Sequence, residues 1–196
     1  MEDKGKWVFI MIEIVHAEHS GFCFGVKRAI QLAEAAALQG NAYSYGPLIH
    51  NPREVACLEA QGIYSIVDLD LLPEGQNLII CSHGVGPEIY QKAQEKKWKI
   101  TDATCPFVAK AQNLANQLAK EGRMVIIVGD KNHPEVKGLL AWAGENAFAI
   151  ANVQEVQALP CFTQPIGILA QTTQQEQNFQ QVILYLQQKY NDVKVC

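Results

Sequence analysis

Cys23-Phe24-Gly25-Val26-Lys27-Arg28-Ala29-Ile30-Gln31-Leu32-Ala33 is answered 82 residues later by Cys105-Pro106-Phe107-Val108-Ala109-Lys110-Ala111-Gln112-Asn113-Leu114-Ala115. The two stretches match at a valine, a basic residue, an alanine, a leucine and a second alanine, and each opens on a cysteine. A histidine follows each cysteine at nearly the same distance, His50 27 residues beyond Cys23 and His133 28 beyond Cys105. Their settings also match, His50-Asn51-Pro52-Arg53-Glu54-Val55 against His133-Pro134-Glu135-Val136. A polar strand end then closes each copy: Cys81-Ser82-His83-Gly84 and Ala170-Gln171-Thr172-Thr173. A repeat of this length means that one structural unit is used twice. The expected division is 1–101 and 102–192, with 193–196 opening a third unit that the chain does not continue.

The fold class follows from what alternates inside each copy. Short β-rich runs at Trp7–Val15, Leu78–Cys81, Lys99–Thr101, Met124–Val128, Ala147–Ala151 and Ile166–Ala170 read as strands. Between them, Val26, Ile30, Ala33 and Ala37 recur at helical spacing, as do Val108, Ala111, Ala115 and Leu118, and Phe179, Val182, Ile183, Leu186 and Tyr190. Alternating strands and helices predict an α/β fold of pseudo-repeated three-layer units with mainly parallel sheets. Pro52, Pro87, Pro106 and Pro134 mark helix starts, where a missing N–H costs least. Asn51 through Glu54 and Thr173 through Glu176 have capping-box spacing, with Thr173 as the N-cap. His50, Cys105, His133 and Thr172 precede helix starts, so they should face one crevice at the strand ends, where helix dipoles favour anions.

Composition narrows the function. The chain has 196 residues, of which 48% are hydrophobic and 18% charged, with a net charge of -4; it lacks a basic stripe, so nucleic acid is not expected as a partner. The longest apolar stretch, Trp7–Val15, is too short to span a membrane, and the opening Met1-Glu2-Asp3-Lys4 does not resemble an export signal. A cytoplasmic setting with reduced thiols is therefore expected for the six cysteines, no two of which form a CxxC pair.

Cys23 and Cys105, at pseudo-equivalent helix starts, suit a thiolate-ligated metal or cluster, because a helix amino terminus favours the thiolate that soft iron requires. An isolated cysteine is more often a small core residue; the repeat and the glycine-flanked setting of Cys23 reverse that reading. Three such units would hold three irons of a four-iron cluster and leave the fourth open. Cys57 and Cys81 read as structural, and Cys161 receives no role. His50, His83 and His133 at equivalent edges suit a polyanion such as a diphosphate, although each alone reads as a cap or a satisfied partly buried side chain. Glu135 is a candidate proton donor, against the commoner role of complementing a helix dipole. Glu54 keeps that commoner role. Thr172 and Gln171 are candidates to orient a substrate hydroxyl or a water, and His16 and His19 are expected to be surface or structural.

Taken together, the motifs around Cys23, Gly46-Pro47-Leu48-Ile49-His50-Asn51-Pro52, Ser82-His83-Gly84-Val85, Asp102-Ala103-Thr104-Cys105-Pro106, His133-Pro134-Glu135-Val136-Lys137-Gly138 and Ala170-Gln171-Thr172-Thr173 closely resemble the 4-hydroxy-3-methylbut-2-enyl diphosphate reductase family. The resemblance implies an oxygen-sensitive [4Fe-4S] enzyme of isoprenoid synthesis. It would remove the substrate's allylic hydroxyl with two electrons and protons to give isopentenyl and dimethylallyl diphosphate. It also implies a ferredoxin- or flavodoxin-type electron donor and three α/β units around the cluster. By that resemblance Cys23 and Cys105 are two of three ligands, Glu135 delivers protons, Thr172 positions the hydroxyl, and His50, His83 and His133 serve the diphosphate and a proton relay. The family's third cysteine lies in an Asn-Thr-Ile-Cys-like segment that does not occur here, and Cys196 falls just before its place, a poor substitute. The chain alone is thus expected to be a truncated reductase with little or no turnover. The alternatives are a non-catalytic two-unit module or subunit that binds diphosphates, or a structural zinc site, which the spacing disfavours.

Overall fold

The computed structural model describes residues 13–18, 20–49 and 51–196. His19, His50 and most of the expected strand Trp7–Val15 lie outside the described residues; Glu13, Ile14 and Val15, its last three, carry no strand.

Two four-stranded sheets are built, each entirely parallel and each in the same spatial order. The first contains β1 (Ala42–Tyr45), β2 (Ile63–Ile66), β3 (Asn77–Ile80) and β4 (Lys99–Asp102), ordered β2-β1-β3-β4. The second contains β5 (Met124–Val128), β6 (Ala147–Ile150), β7 (Ile166–Ala170) and β8 (Val193–Val195), ordered β6-β5-β7-β8. Helices α1 (Phe24–Ala37), α2 (Pro52–Ala60) and α3 (Pro87–Glu95) belong to the first copy. Helices α4 (Pro106–Lys120), α5 (Pro134–Ala143), α6 (Val153–Gln157) and α7 (Glu176–Lys189) belong to the second. The α/β class is therefore as expected, and Pro52, Pro87, Pro106 and Pro134 each occupy the first helical position. Asn51 caps α2 by accepting from the N–H groups of Arg53 and Glu54.

The middle strands are the driest part. Every residue of β5 is buried, as are Leu78, Ile79 and Ile80 of β3, as parallel strands covered on both faces should be. Strands β1 and β2 are missing from the sequence reading, because Ala-Tyr-Ser-Tyr and Ile-Tyr-Ser-Ile interrupt their apolar residues with serine and tyrosine. Helix α1 buries Gly25, Ala29, Ala33 and Ala36 rather than the Val26, Ile30 and Ala37 face. Its small side chains lie inward, and the larger ones pack at the flank of the core.

Ladder register shifts the internal alignment by one residue. The Gly46 N–H donates to Ile66 O and the Gly129 N–H to Ile150 O, each at 2.8 Å, which makes these glycines counterparts. Ala42 then pairs with Asn77 as Val125 pairs with Gly167. Cys81, Ser82 and His83 accordingly correspond to Gln171, Thr172 and Thr173. The turns agree: the Gly84 N–H reaches Cys81 O at 3.0 Å and the Gln174 N–H reaches Gln171 O at 2.9 Å. Continuous apolar runs do not reveal register, so alignment by sequence alone sets His83 against Thr172. The Gln171–Gln174 turn also moves the start of α7: its N-cap is Gln175, not Thr173.

Candidate active site

Cys23 and Cys105 are the N-caps of α1 and α4, and neither side chain makes a capping hydrogen bond. Cys23 is exposed and Cys105 half-buried. A β-carbon on Gly25 would stand 2.8 Å from Cys105 Sγ and 3.2 Å from Cys105 Cβ, so the first turn of α1 abuts the start of α4. The second cysteine is held from three sides. Its N–H donates to Ser82 O at 2.9 Å, the Thr104 N–H to Asp102 Oδ1 at 2.9 Å, and Arg28 Nη1 to Thr104 O at 3.1 Å. Two uncommitted thiols at the positive ends of two abutting helices fit a soft, thiolate-bound group.

The described residues contain no group of three or more His, Cys, Asp or Glu placed to hold a metal ion. Cys196 does not take the third pseudo-equivalent place. Its N–H donates to Ile168 O at 2.9 Å, continuing β8 alongside β7, where Ile168 pairs with Val195. Leu78, the counterpart of Ile168, pairs with Ile100, so Cys196 stands where Thr101 stands in the first copy, four residues before Cys105. Cys57, expected on an apolar helix face, is exposed, as is Cys161. Cys81 is buried, with Sγ 2.8 Å from Tyr45 O, and burial pushes its thiol pKa up.

Glu135 sits on the first turn of α5 and is only 2% exposed. Both of its carboxylate oxygens are turned to one residue: the Thr172 N–H donates to Oε1 at 2.7 Å and the Thr172 hydroxyl to Oε2 at 2.9 Å. The carboxylate therefore crosses from a helix start to a strand end, rather than only facing its own helix dipole. Thr172 is itself exposed, so the pair reaches from the protein interior to the surface of the crevice. His133 is the N-cap of α5, its Nδ1 accepting from the Glu135 N–H at 3.2 Å. That bond assigns the neutral ring's proton to Nε2, which is left as the ring's donor. The rings of His83 and His133 meet edge to face, with centroids 5.3 Å apart and planes at 84°. One residue from each copy thus enters the same site. Beside His83 lies a cleft of about 400 Å³ lined in part by Gly46, Pro47, Pro134 and Lys137.

Gln171 is engaged differently from the sequence expectation. Its Oε1 accepts from the Asp130 N–H at 3.1 Å, and its Nε2 donates to Thr173 Oγ1 at 3.0 Å, so the amide ties the β5 and β7 loops together. His50 lies outside the described residues, and His16 is exposed, as expected. Sequence reasoning missed Gly25 as the contact for Cys105, although the glycines flanking Cys23 were its visible signal. It also missed Val85, Gln112 and Trp142, for which no motif or periodicity singled out a role.

Residues 14–196 match the model of a protein family described as LytB protein. The 4-hydroxy-3-methylbut-2-enyl diphosphate reductase of Pelobacter propionicus is 42% identical over 185 residues, covering 94% of this chain and 65% of that protein. The protein of the same name from Aquifex aeolicus is 40% identical over 191 residues, with coverage of 94% and 65%. A solved (E)-4-hydroxy-3-methyl-but-2-enyl diphosphate reductase, described as the terminal enzyme of the non-mevalonate pathway, aligns with a TM-score of 0.82 and 39% identity over 95% of this chain and 67% of that one. The Plasmodium falciparum reductase aligns with a TM-score of 0.85 and 31% identity, covering 91% and 57%. The chain therefore spans about two-thirds or less of the length of these relatives. With its two parallel α/β sheets and a family match over nearly its whole length, the chain belongs to the LytB protein family.

Proposed function

We propose that this chain forms the part of a 4-hydroxy-3-methylbut-2-enyl diphosphate reductase that holds two ligands of an iron–sulfur cluster together with its proton-delivery and diphosphate-facing residues. The observation that carries this reading is the buried Glu135 carboxylate gripping Thr172 beside the paired rings of His83 and His133. Cys23 and Cys105 would hold the cluster, with Gly25 leaving room for the Cys105 sulfur. When bound, such a cluster supplies electrons and an open iron to the allylic C–O bond.

The protein's own groups do the rest. His133 presents its Nε2–H, and with His83 it offers hydrogen bonds to diphosphate oxygens where helix starts converge, an arrangement that favours negative charge. The exposed Thr172, its hydroxyl held by Glu135 Oε2, keeps an oxygen lone pair with which to orient the substrate hydroxyl. When Glu135 carries the proton on Oε2, the Thr172 bond reverses so that Oε2–H donates to Oγ1; Thr172 then gives its own hydroxyl proton to the substrate oxygen as it takes the one from Glu135, and His133, bonded to the Glu135 N–H, keeps the first turn of α5 in place. Gln171 fixes the loops beneath Thr172 and supports the site from behind. The product would be the two isomeric five-carbon diphosphates, and a small iron–sulfur or flavin protein of the cytoplasm would supply the electrons.

Among the described residues, no helix is long and apolar enough to cross a membrane. The test is product formation after anaerobic reconstitution with iron and sulfide, in a chain carrying the relatives' full length. Release of isopentenyl and dimethylallyl diphosphate supports the reading. Diphosphate binding by a protein that retains a cluster yet forms neither product would replace it with a binding module.

A further inference from the structure

The loop after His83 is fastened to the second copy through one carbonyl. Val85 O accepts two side-chain hydrogen bonds, from Trp142 Nε1 at 2.9 Å and from Gln112 Nε2 at 3.3 Å. The donors come from different helices, α5 and α4, and Gln112 is only 5% exposed. The approach is close throughout. Gly84 has a φ of 68°, and a β-carbon there would collide with the Gln112 amide. A β-carbon on Gly86 would stand 2.6 Å from Ala141 Cβ, and one on Gly138 3.3 Å from Gln112 Nε2. Gly138, Ala141 and Trp142 follow helical spacing along α5, the helix whose N-cap is His133 and whose first turn carries Glu135. The helix that carries one histidine therefore also grips the loop that carries the other.

We infer that Gln112 and Trp142 are positioning residues: by sharing the Val85 carbonyl they set His83 against His133, and, given the reading proposed above, they set the width of the diphosphate site. A carbonyl has two acceptor lone pairs, so two donors from two helices fix the loop in both directions, whereas one would leave it a hinge. A buried amide left without its partner is costly, which keeps the loop from lifting away.

The test uses this chain with the variants Trp142→Phe and Gln112→Leu, singly and together, and Tyr90→Phe as a control. The Tyr90 ring lies tilted beside Trp142, with centroids 6.3 Å apart, and its hydroxyl donates to Asp102 Oδ2 at 2.8 Å, so the control weakens the same region without touching Val85 O. The primary measurement is the nuclear Overhauser effect between the His83 and His133 ring protons. It is expected in the parent and in Tyr90→Phe, to weaken in each single variant, and to vanish in the double variant. Affinity for inorganic diphosphate, measured by calorimetry, is expected to fall about thirtyfold in the double variant, equivalent to about 2 kcal/mol. Persistence of the Overhauser effect in a folded double variant overturns the inference, and so does its disappearance in Tyr90→Phe. Separation of the two rings without any change in diphosphate affinity upholds the positioning role and counts against the diphosphate reading. If the double variant does not fold, the single variants decide the matter on the same measurement.

Discussion

Glu135 and Thr172, 37 residues apart in sequence, are joined by two hydrogen bonds of 2.7 and 2.9 Å that use both carboxylate oxygens. Replacing Glu135 with glutamine keeps this shape. The amide oxygen still accepts from the Thr172 N–H, and the Thr172 hydroxyl turns to accept from the new NH₂ group. Stability should therefore change by no more than about 1 kcal/mol, while a proton-delivery role is lost, costing about 10²–10⁴-fold in turnover of a full-length reconstituted enzyme. Thr172→Val, which strands one oxygen of a buried carboxylate, should instead cost roughly 1–3 kcal/mol. Thermal unfolding and product assays on the two variants separate the roles; unchanged turnover in Glu135→Gln ends the proton assignment.

Gly25 is required for its missing side chain. Gly25→Ala would place a β-carbon 2.8 Å from Cys105 Sγ, and either α1 or the thiol must shift. The expected cost is about 1–3 kcal/mol of stability, from overpacking. Iron retained after anaerobic reconstitution should fall as well. A variant with parental stability and iron content would mean that the contact is soft.

The cysteines should differ sharply in reactivity. Cys81 is buried and its pKa is raised, chiefly by burial, while Cys23, Cys57, Cys161 and Cys196 are exposed. Timed alkylation of the metal-free protein, followed by peptide mass spectrometry, should label the exposed thiols first, Cys105 later and Cys81 last. After reconstitution of a chain carrying the relatives' full length, Cys23 and Cys105 should gain protection, whereas Cys57 and Cys161 should not.

At the far end of the second sheet, Lys194 Nζ reaches Glu121 at 2.7 and 2.9 Å, while Arg123 bridges Glu121 and Asp192. Lys194 foremost, then the Gln117 amide at 3.0 Å and Arg123, hold the Glu121 carboxyl down to about 2 from an ordinary 4.5. A lowered carboxyl pKa gives stability that is present above pH 4.5 and lost as pH falls towards 2. The thermal midpoint should decline through that window, and Glu121→Gln should flatten the decline. An equally steep fall in the variant would assign the acid sensitivity to other groups.

Much of this was legible in the sequence because local chemistry and fold agree. The four helix-start prolines stand where a missing N–H does no harm, and Met124–Val128, apolar throughout, could only be a buried strand of that length. The cysteine repeat located two helix caps, and the His-Pro-Glu motif located a third helix start with its carboxylate. What stayed hidden depends on long-range partners. Nothing near Gln171 announces that Asp130, 41 positions away, takes its amide oxygen. Nothing near Trp142 points to a carbonyl 57 positions earlier. Sheet register was equally hidden, because a one-residue slip between two apolar runs leaves the pattern unchanged.

The most direct test of the assignment is the iron bound after anaerobic reconstitution of a chain carrying the relatives' full length, read by absorption and electron paramagnetic resonance, in Cys23→Ser, Cys105→Ser and, as controls, Cys57→Ser and Cys161→Ser. The paired-ligand reading predicts that the first two each abolish the cluster signal, while the controls leave it at the parental level. A cluster signal that survives Cys23→Ser and Cys105→Ser together would contradict it.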